Sequence, residues 1–144
     1  MATTSHKTYT VALTSILTTE FNSLANGSAT AASSAIDNTT NLDLFMDLQF
    51  NIAAQGSSRS TGATVSVYMT TATDGTNYDD ANTTTAELVA VFPLDAATTA
   101  RQSTRRDIPI PPGKFKLFAL NSTGQAMAAS STTLKYATHN VLTA

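Results

Sequence analysis

Apolar and polar residues alternate over one long stretch in the first half of the chain. The apolar positions of this stretch are Leu42, Leu44, Met46, Leu48, Phe50 and Ile52. The residues between them are polar, except for Phe45, which breaks the polar side. Because the side chains of a strand point alternately to its two faces, the pattern predicts a β-strand over residues 42–54, with one face in a core and the other near water.

Shorter segments bounded by turn residues predict further strands. These segments are 64–70, 87–92, 114–120, 125–129 and 134–138, with a small polar edge strand over 28–36. The 87–92 segment is apolar on both faces, which is typical of an interior strand or of one covered by a neighbour. The prolines of the 108–112 segment cannot donate to a ladder, so Ile108 and Ile110 mark an edge of a sheet.

One short helix is predicted near the beginning of the chain. Leu13, Ile16, Leu17, Phe21 and Leu24 follow a helical spacing, and the Asn-Gly pair after them is typical of helix ends. We therefore expect a helix over residues 18–25. Two β-branched threonines disfavour a longer helix, and residues 11–17 fit a strand equally well.

Seven or eight short strands, with no helix long enough to cross between parallel strands, predict an all-β fold. We expect an antiparallel β-sandwich of jelly-roll type, although an immunoglobulin-like order or a small barrel would give nearly the same pattern. The length of 144 residues suits a single domain. We assign that domain to residues 13–144 and predict an extended N-terminal arm over residues 1–12.

The composition indicates a protein that associates with copies of itself. Thr, Ala and Ser supply 27, 23 and 14 residues, while charged residues make up only 12% of the chain. Soluble domains carry about 25% charged residues, and a Thr-rich surface that lacks them is easily desolvated against a neighbour. We therefore expect a homo-oligomer, in which burial between subunits supplements a modest core.

Several classes of partner are disfavoured by charge and residue content. The net charge is -2 and the eight Lys and Arg residues form no basic stripe, so nucleic acid is not expected to bind. There is no apolar stretch long enough to span a membrane, and the absence of cysteine excludes disulfides and thiolate chemistry. We expect neither a membrane partner nor a cofactor.

No catalytic constellation is predicted, and we expect the protein not to be an enzyme. The two histidines, His6 and His139, lie near the ends of the chain, where a defined cleft is rare. Asp43 and Asp47 are four residues apart on one predicted strand, hence about 13 Å apart, which is wider than the carboxylate pairs of glycosidases. We interpret them as part of a solvated strand face.

The weak metal candidates are four residues of one acidic loop, namely Asp74, Asn77, Asp79 and Asp80. Clustered oxygen ligands on a turn suit calcium, but Asp and Asn also favour turns for conformational reasons alone, and we favour this second interpretation.

Two segments are candidates for contact with other subunits. The predicted arm contributes Thr8, Tyr9 and Thr10. The second segment contains Ile108, Ile110 and a cluster of three arginines, Arg101, Arg105 and Arg106. The arginines fit a contact with acidic groups of a neighbour and a solvated loop equally well.

Several turn motifs resemble those of a family of small structural proteins of tailed bacteriophages. These motifs are 24–27 (LANG), 35–42 (AIDNTTNL), 74–78 (DGTNY), 111–116 (PPGKFK), 121–126 (NSTGQA) and 133–136 (TLKY). The resemblance covers residues 13–140. It implies a virion component made in the host cytoplasm, and most resembles capsid decoration or cement proteins, which clamp capsid subunits from the outer surface of the head.

The expected partners are therefore the major capsid protein and further copies of this chain, with a trimer as the expected assembly. In the alternative interpretation the protein is a tail or fibre component that binds a host glycan or receptor through the loops at 55–62 and 73–85.

Overall fold

The protein folds into eight strands that form two antiparallel four-stranded sheets. The computed structural model describes the backbone of residues 5–143 and the side chains of residues 7–141. The strands are β1 (Ser5–Leu17), β2 (Ile36–Asp37), β3 (Phe45–Ile52), β4 (Thr64–Ala72), β5 (Glu87–Pro93), β6 (Arg101–Pro109), β7 (Lys114–Ser122) and β8 (Thr133–Thr143). Within this range, no helix has the length and apolar character needed to cross a membrane.

The strand order is that of a jelly roll. Sheet A has the order β1-β8-β3-β6 and sheet B the order β2-β7-β4-β5. The first strand pairs with the last, the second with the seventh, the third with the sixth and the fourth with the fifth, so the chain runs as a folded ribbon of antiparallel pairs. The predicted jelly-roll sandwich is therefore confirmed.

The core lies between the two sheets and is built from the alternating apolar positions of the sequence. Met46, Leu48, Phe50 and Ile52 are all buried on the inner face of β3. The ring of Phe50 lies 5.7 Å from that of Phe21 and 5.3 Å from that of Phe92. Aromatic contacts at this spacing join both sheets and the segment after β1 into one core.

Residues 5–12 differ from the predicted extended arm, because they belong to β1 and pair with β8. The pairing runs from Ser5 opposite Thr143 to Leu17 opposite Leu134, so the whole described part of the arm lies at the edge of sheet A. Residues 1–4 lie outside the described residues. The predicted helix is reduced to one 3₁₀ turn, Thr19–Phe21, and the strand alternative for residues 11–17 is correct.

β3 begins three residues later than the alternation predicts, which leaves Leu42 and Leu44 exposed. The cause is the buried side chain of Asn38. It accepts a hydrogen bond from the backbone N–H of Asp43 and donates one to the backbone carbonyl of the same residue, both at 2.8 Å. These bonds hold the preceding chain in a turn, with Leu42 at φ 50°, instead of letting it continue the strand.

Three further predictions need correction. Of the two interpretations of the arginine cluster, the solvated loop is wrong, because β6 begins at Arg101 and pairs with β3. β5 is an edge strand of sheet B, and residues 125–129 form no strand. Near the predicted edge strand 28–36, the hydroxyls of Thr30 and Ser33 accept the N–H groups of Ala119 and Leu117 on β7, each at 3.0 Å.

A buried arginine holds the loop after β3 against the start of β6. The Arg59 side chain is 0% exposed, and its Nη2 donates to Asp95 Oδ1 at 2.8 Å and to the Thr99 carbonyl at 3.0 Å. Its Nε donates to the Asp95 carbonyl and its Nη1 to Gln55 Oε1. The half-exposed Arg101 reaches the same Asp95 carboxylate from the solvent side.

The Asp95 carboxylate should make stability depend on acid pH. Its pKa lies below the ordinary value because Arg59, and then Arg101, donate hydrogen bonds to the ionised form. The stability that it contributes is therefore present above the unfolded-state pKa of about 4 and is lost as the pH falls toward the lower folded-state pKa. Urea unfolding should show wild type more stable than Asp95→Asn at about pH 6, with a smaller difference at about pH 3. An unchanged difference would contradict this origin.

Candidate functional site

The outer face of sheet A carries an irregularity where β3 and β6 pair. Met46 lies opposite Ile108 and Leu48 opposite Arg105, so Asp47 faces two residues, Arg106 and Asp107. This is a β-bulge, and Asp107 adopts a left-handed backbone with φ 57°. Aspartate tolerates this conformation better than most residues, and the bulge directs its carboxylate toward the neighbouring strands.

Five polar side chains from all four strands of sheet A meet at the bulge. Asp47 Oδ2 accepts the Tyr9 hydroxyl at 2.7 Å, and Asp47 Oδ1 accepts the backbone N–H of Asp107 at 2.9 Å. The Lys7 ammonium lies 2.6 Å from Asp107 Oδ1 and 3.7 Å from Asp47 Oδ2. His139 Nε2 lies 3.0 Å from Asp107 Oδ1. We name this group the four-strand cluster.

The charges of the four-strand cluster stabilise one another. The pKa of Asp107 is lowered, first by the hydrogen bond from Lys7 and also by the hydrogen bond from His139, against the opposing effect of desolvation. The hydrogen bond to Asp107 is in turn the main reason why the pKa of Lys7 is raised. The Tyr9 pKa is raised, first because its hydroxyl donates to Asp47. At neutral pH, Asp107 is therefore ionised, Lys7 is charged and Tyr9 is a neutral donor.

His139 lies on the outer face of sheet A, yet aromatic rings cover it completely. Its ring is 5.1 Å from that of Tyr9 and stacks on Phe45 at 5.7 Å, and the residue is 0% exposed. Phe45 is the residue that interrupts the polar side of the alternating pattern, and its contact with His139 explains this interruption. Aromatic cover removes water from the imidazole and strengthens its hydrogen bond with Asp107.

An open groove of about 530 Å³ lies beside the four-strand cluster on the same face. The groove contains one aromatic ring and several polar groups that differ in charge. The residues that line it are Tyr9, Ala12, Leu13, Asp47, Gln49, Thr104, Arg106 and Ala137. Its polar side chains can donate and accept hydrogen bonds, while Tyr9 and Leu13 offer an apolar contact.

The residues predicted to contact other subunits lie on or beside the two edge strands of sheet A. Thr8, Tyr9 and Thr10 belong to β1, and all three are exposed. Tyr9 nevertheless donates to Asp47, and the Thr10 hydroxyl donates to Asp43 at 2.7 Å. A partner that contacts Tyr9 and Thr10 would therefore meet hydroxyl groups that already donate hydrogen bonds within the domain.

The structure separates the three arginines that the sequence groups together. Arg101 is paired with Asp95, and Arg105 donates to the Val91 carbonyl on β5 while covering the ring of Phe92. Of the three, Arg106 alone lines the groove.

The two isoleucines predicted to contact a partner lie near the end of β6, Ile108 within the strand and Ile110 just after it. Ile108 is 8% exposed and belongs to the core, so its side chain is not available to a partner, contrary to our expectation. Ile110 is half-buried and packs on the same core.

In the acidic loop, Asp74 and Asp79 accept hydrogen bonds from the loop itself and from β4. Asp74 Oδ1 accepts the N–H groups of Thr76 and Asn77, and its Oδ2 accepts the Asn77 amide. Asp79 accepts the Thr71 hydroxyl at 3.1 Å. Over the described residues, Asp74, Asp79 and Asp80 do not form a three-carboxylate cluster, and the group with metal-binding spacing is Asp47, Asp107 and His139.

The interpretation of Asp43 and Asp47 as a solvated strand face is wrong. Asp43 is 1% exposed and Asp47 is 6% exposed, and both are hydrogen-bonded. Lys7 and Asp107 reach the site from strands that are distant in sequence, so no local pattern predicts that they meet. The sequence carries one local signal of the site, namely Phe45. An aromatic residue on an otherwise polar strand face indicates that it packs against another group on that face.

Comparisons with known proteins add little to this description. Neither a family model nor a curated protein matches the chain. Among solved structures, the chain is similar to the enzymatically active domain of tailspike protein 4 from bacteriophage CBA120, with a TM-score of 0.35 and 13% sequence identity. The similarity covers 97% of this chain and 19% of the tailspike chain, so this protein spans only a small part of that neighbour. A superposition this loose does not establish a shared fold.

Proposed function

We propose that this protein is a structural component of a bacteriophage virion, a decoration protein that binds the major capsid protein on the outer surface of the head. It acts as a trimer, carries out no reaction and stabilises the shell by burying its own surface against it. The proposal combines the resemblance of the turn motifs with the surface of sheet A.

One observation carries the proposal, namely the long edge strand β1. It runs from Ser5 to Leu17, one side pairs with β8, and no strand among residues 5–143 pairs with its other side. Tyr9 is 51% exposed and Leu13 is 48% exposed on this strand, and Val141 on β8 is 43% exposed. An open strand edge beside exposed apolar side chains can add to a neighbouring sheet through main-chain hydrogen bonds.

The chemistry of the surface supports the same proposal. A decoration protein must bury much of its surface in contacts that each require little specificity, and a surface rich in Thr and Ala with few charges loses little on desolvation. The chain contains no cysteine, so no disulfide stabilises the jelly roll. Its stability comes from a core that continues from one sheet to the other.

A charge placed on β1 should abolish binding to the head. We expect most of the Leu13→Lys variant to stay in solution when it is sedimented with purified heads that lack this protein. The lysine places a charge in an interface that must become dry. Leu88→Lys is the matched control, since Leu88 is 52% exposed on β5 of the other sheet and should tolerate the change. Equal binding by Leu13→Lys and wild type would exclude β1 as the docking edge.

The groove on sheet A favours a second candidate function. Sugar rings bind where an aromatic side chain lies next to planar polar groups, and Tyr9, Gln49 and Arg106 offer this combination. In this case the protein would be a tail or fibre component that binds a host glycan. A glycan array with Arg106→Ala as the control variant separates the two candidates, because a decoration protein should bind no glycan and should be indifferent to that substitution.

A further inference from the structure

The hydrogen bonds of His139 leave one of its ring nitrogens without a partner. Nε2 lies 3.0 Å from Asp107 Oδ1, and an ionised carboxylate can only accept, so Nε2 carries the proton. With Nε2 as the donor, Nδ1 is the ring nitrogen that can offer a lone pair to a metal ion. This atom is buried and has no hydrogen-bond partner.

The atom that faces Nδ1 is another acceptor. Asp47 Oδ1 lies 3.8 Å away, and it already accepts the backbone N–H of Asp107. This separation is wider than an N–H···O hydrogen bond, which spans about 2.7–3.2 Å. It is within the span of a metal ion that makes bonds of about 2.0–2.2 Å to each atom.

We propose that Nδ1 of His139 and the Asp47 carboxylate bind a divalent transition-metal ion of the zinc class on the outer face of sheet A. Imidazole nitrogen and carboxylate oxygen are ordinary ligands of such ions, and water completes the coordination from the side of Asp47, which lines the groove. Asp107 orients the ring by accepting from Nε2, as carboxylates beside metal-binding histidines commonly do. The ion joins β8 to β3 beside β1.

Lys7 competes with this ion. Its ammonium lies 2.6 Å from Asp107 and 3.7 Å from Asp47, so it supplies positive charge to the carboxylate that the metal needs. It leaves the space between Nδ1 and Asp47 Oδ1 unbridged. Removing Lys7 should therefore strengthen metal binding. If the cluster were only an ion pair without a metal site, removing Lys7 would not raise its affinity for metal.

The test is calorimetric titration of zinc chloride into the untagged full-length protein after treatment with a chelator. We expect one site per chain and a Lys7→Met variant that binds about fivefold more tightly, because one nearby cation is gone. His139→Gln and Asp47→Asn should each weaken binding by more than about tenfold. Nitrogen NMR of the imidazole should show the Nδ1 resonance of His139 shifting on addition of zinc.

Two control variants separate this site from other possible zinc ligands. Asp79→Asn alters the acidic loop and His6→Gln removes the other histidine of the chain, and both should bind zinc like wild type. If the His139 or Asp47 variant no longer gives the circular dichroism spectrum of the folded protein, the zinc affinity of Lys7→Met relative to wild type decides the test. No binding at millimolar zinc, unchanged binding in a folded His139→Gln variant, or weaker binding in Lys7→Met would each overturn the proposal.

Discussion

Arg59→Met should destabilise the protein by about 3 kcal/mol, because, besides the Asp95 carboxylate, the substitution leaves three acceptors without this donor, each at a cost of about 1 kcal/mol or more. The acceptors are the carbonyls of Asp95 and Thr99 and the side-chain oxygen of Gln55. Methionine fills a similar volume but donates nothing. For a chain of this length the melting temperature should fall by roughly 6–12 °C, and urea unfolding at neutral pH measures the free energy directly.

Arg101→Met is the matched control for this prediction. Arg101 binds the same Asp95 carboxylate, but its side chain is 45% exposed, so water replaces the lost bonds. Its loss should change the free energy of unfolding by about 0.5 kcal/mol or less. Similar losses in the two variants would mean that the ion pair with Asp95, and not the bonds from Arg59 to the two carbonyls and Gln55, accounts for the effect.

Gly124→Ala should destabilise the protein by about 3 kcal/mol, through strain and a collision acting together. Gly124 has φ +82°, a conformation that costs other residues about 1 kcal/mol or more. A Cβ at this position would lie 2.7 Å from Ser60 Cβ, and the Ser60 backbone cannot move away easily because its N–H donates to the Thr123 carbonyl at 2.8 Å. Thermal unfolding followed by circular dichroism measures the loss.

Gly75→Ala separates the two contributions. Gly75 has φ +77°, but a Cβ there would meet nothing within 4 Å. Its substitution should therefore cost only the conformational part, about 1 kcal/mol. If both alanine variants were equally destabilised, the contact with Ser60 would play no part.

The sequence predicts the strands whose two faces differ in polarity. β3 and β4 alternate between core and outer face, so their apolar positions identify them. β6 is nearly all polar, because its residues are mostly exposed and, among the strands of residues 5–143, it pairs with β3 alone. Its place in the sheet follows from pairing with a strand about fifty residues away, which no local pattern records.

The candidate site illustrates the same limit. Lys7 and His139 meet because the first strand pairs with the last, and Asp107 reaches them through a bulge whose backbone angle the sequence does not announce. The sequence predicts a solvated position for Asp47, because this residue lies on the polar side of an alternating strand. Its burial depends on a tyrosine and a lysine contributed by β1, which becomes evident only from the topology.

The position of this protein in the native particle tests the account most directly. A cryo-electron microscopy map of intact virions should show the jelly roll on the outer surface of the head, in many symmetric copies grouped in threes, with β1 against the major capsid protein. Density confined to the tail or its tip, in a handful of copies, would contradict the proposed function.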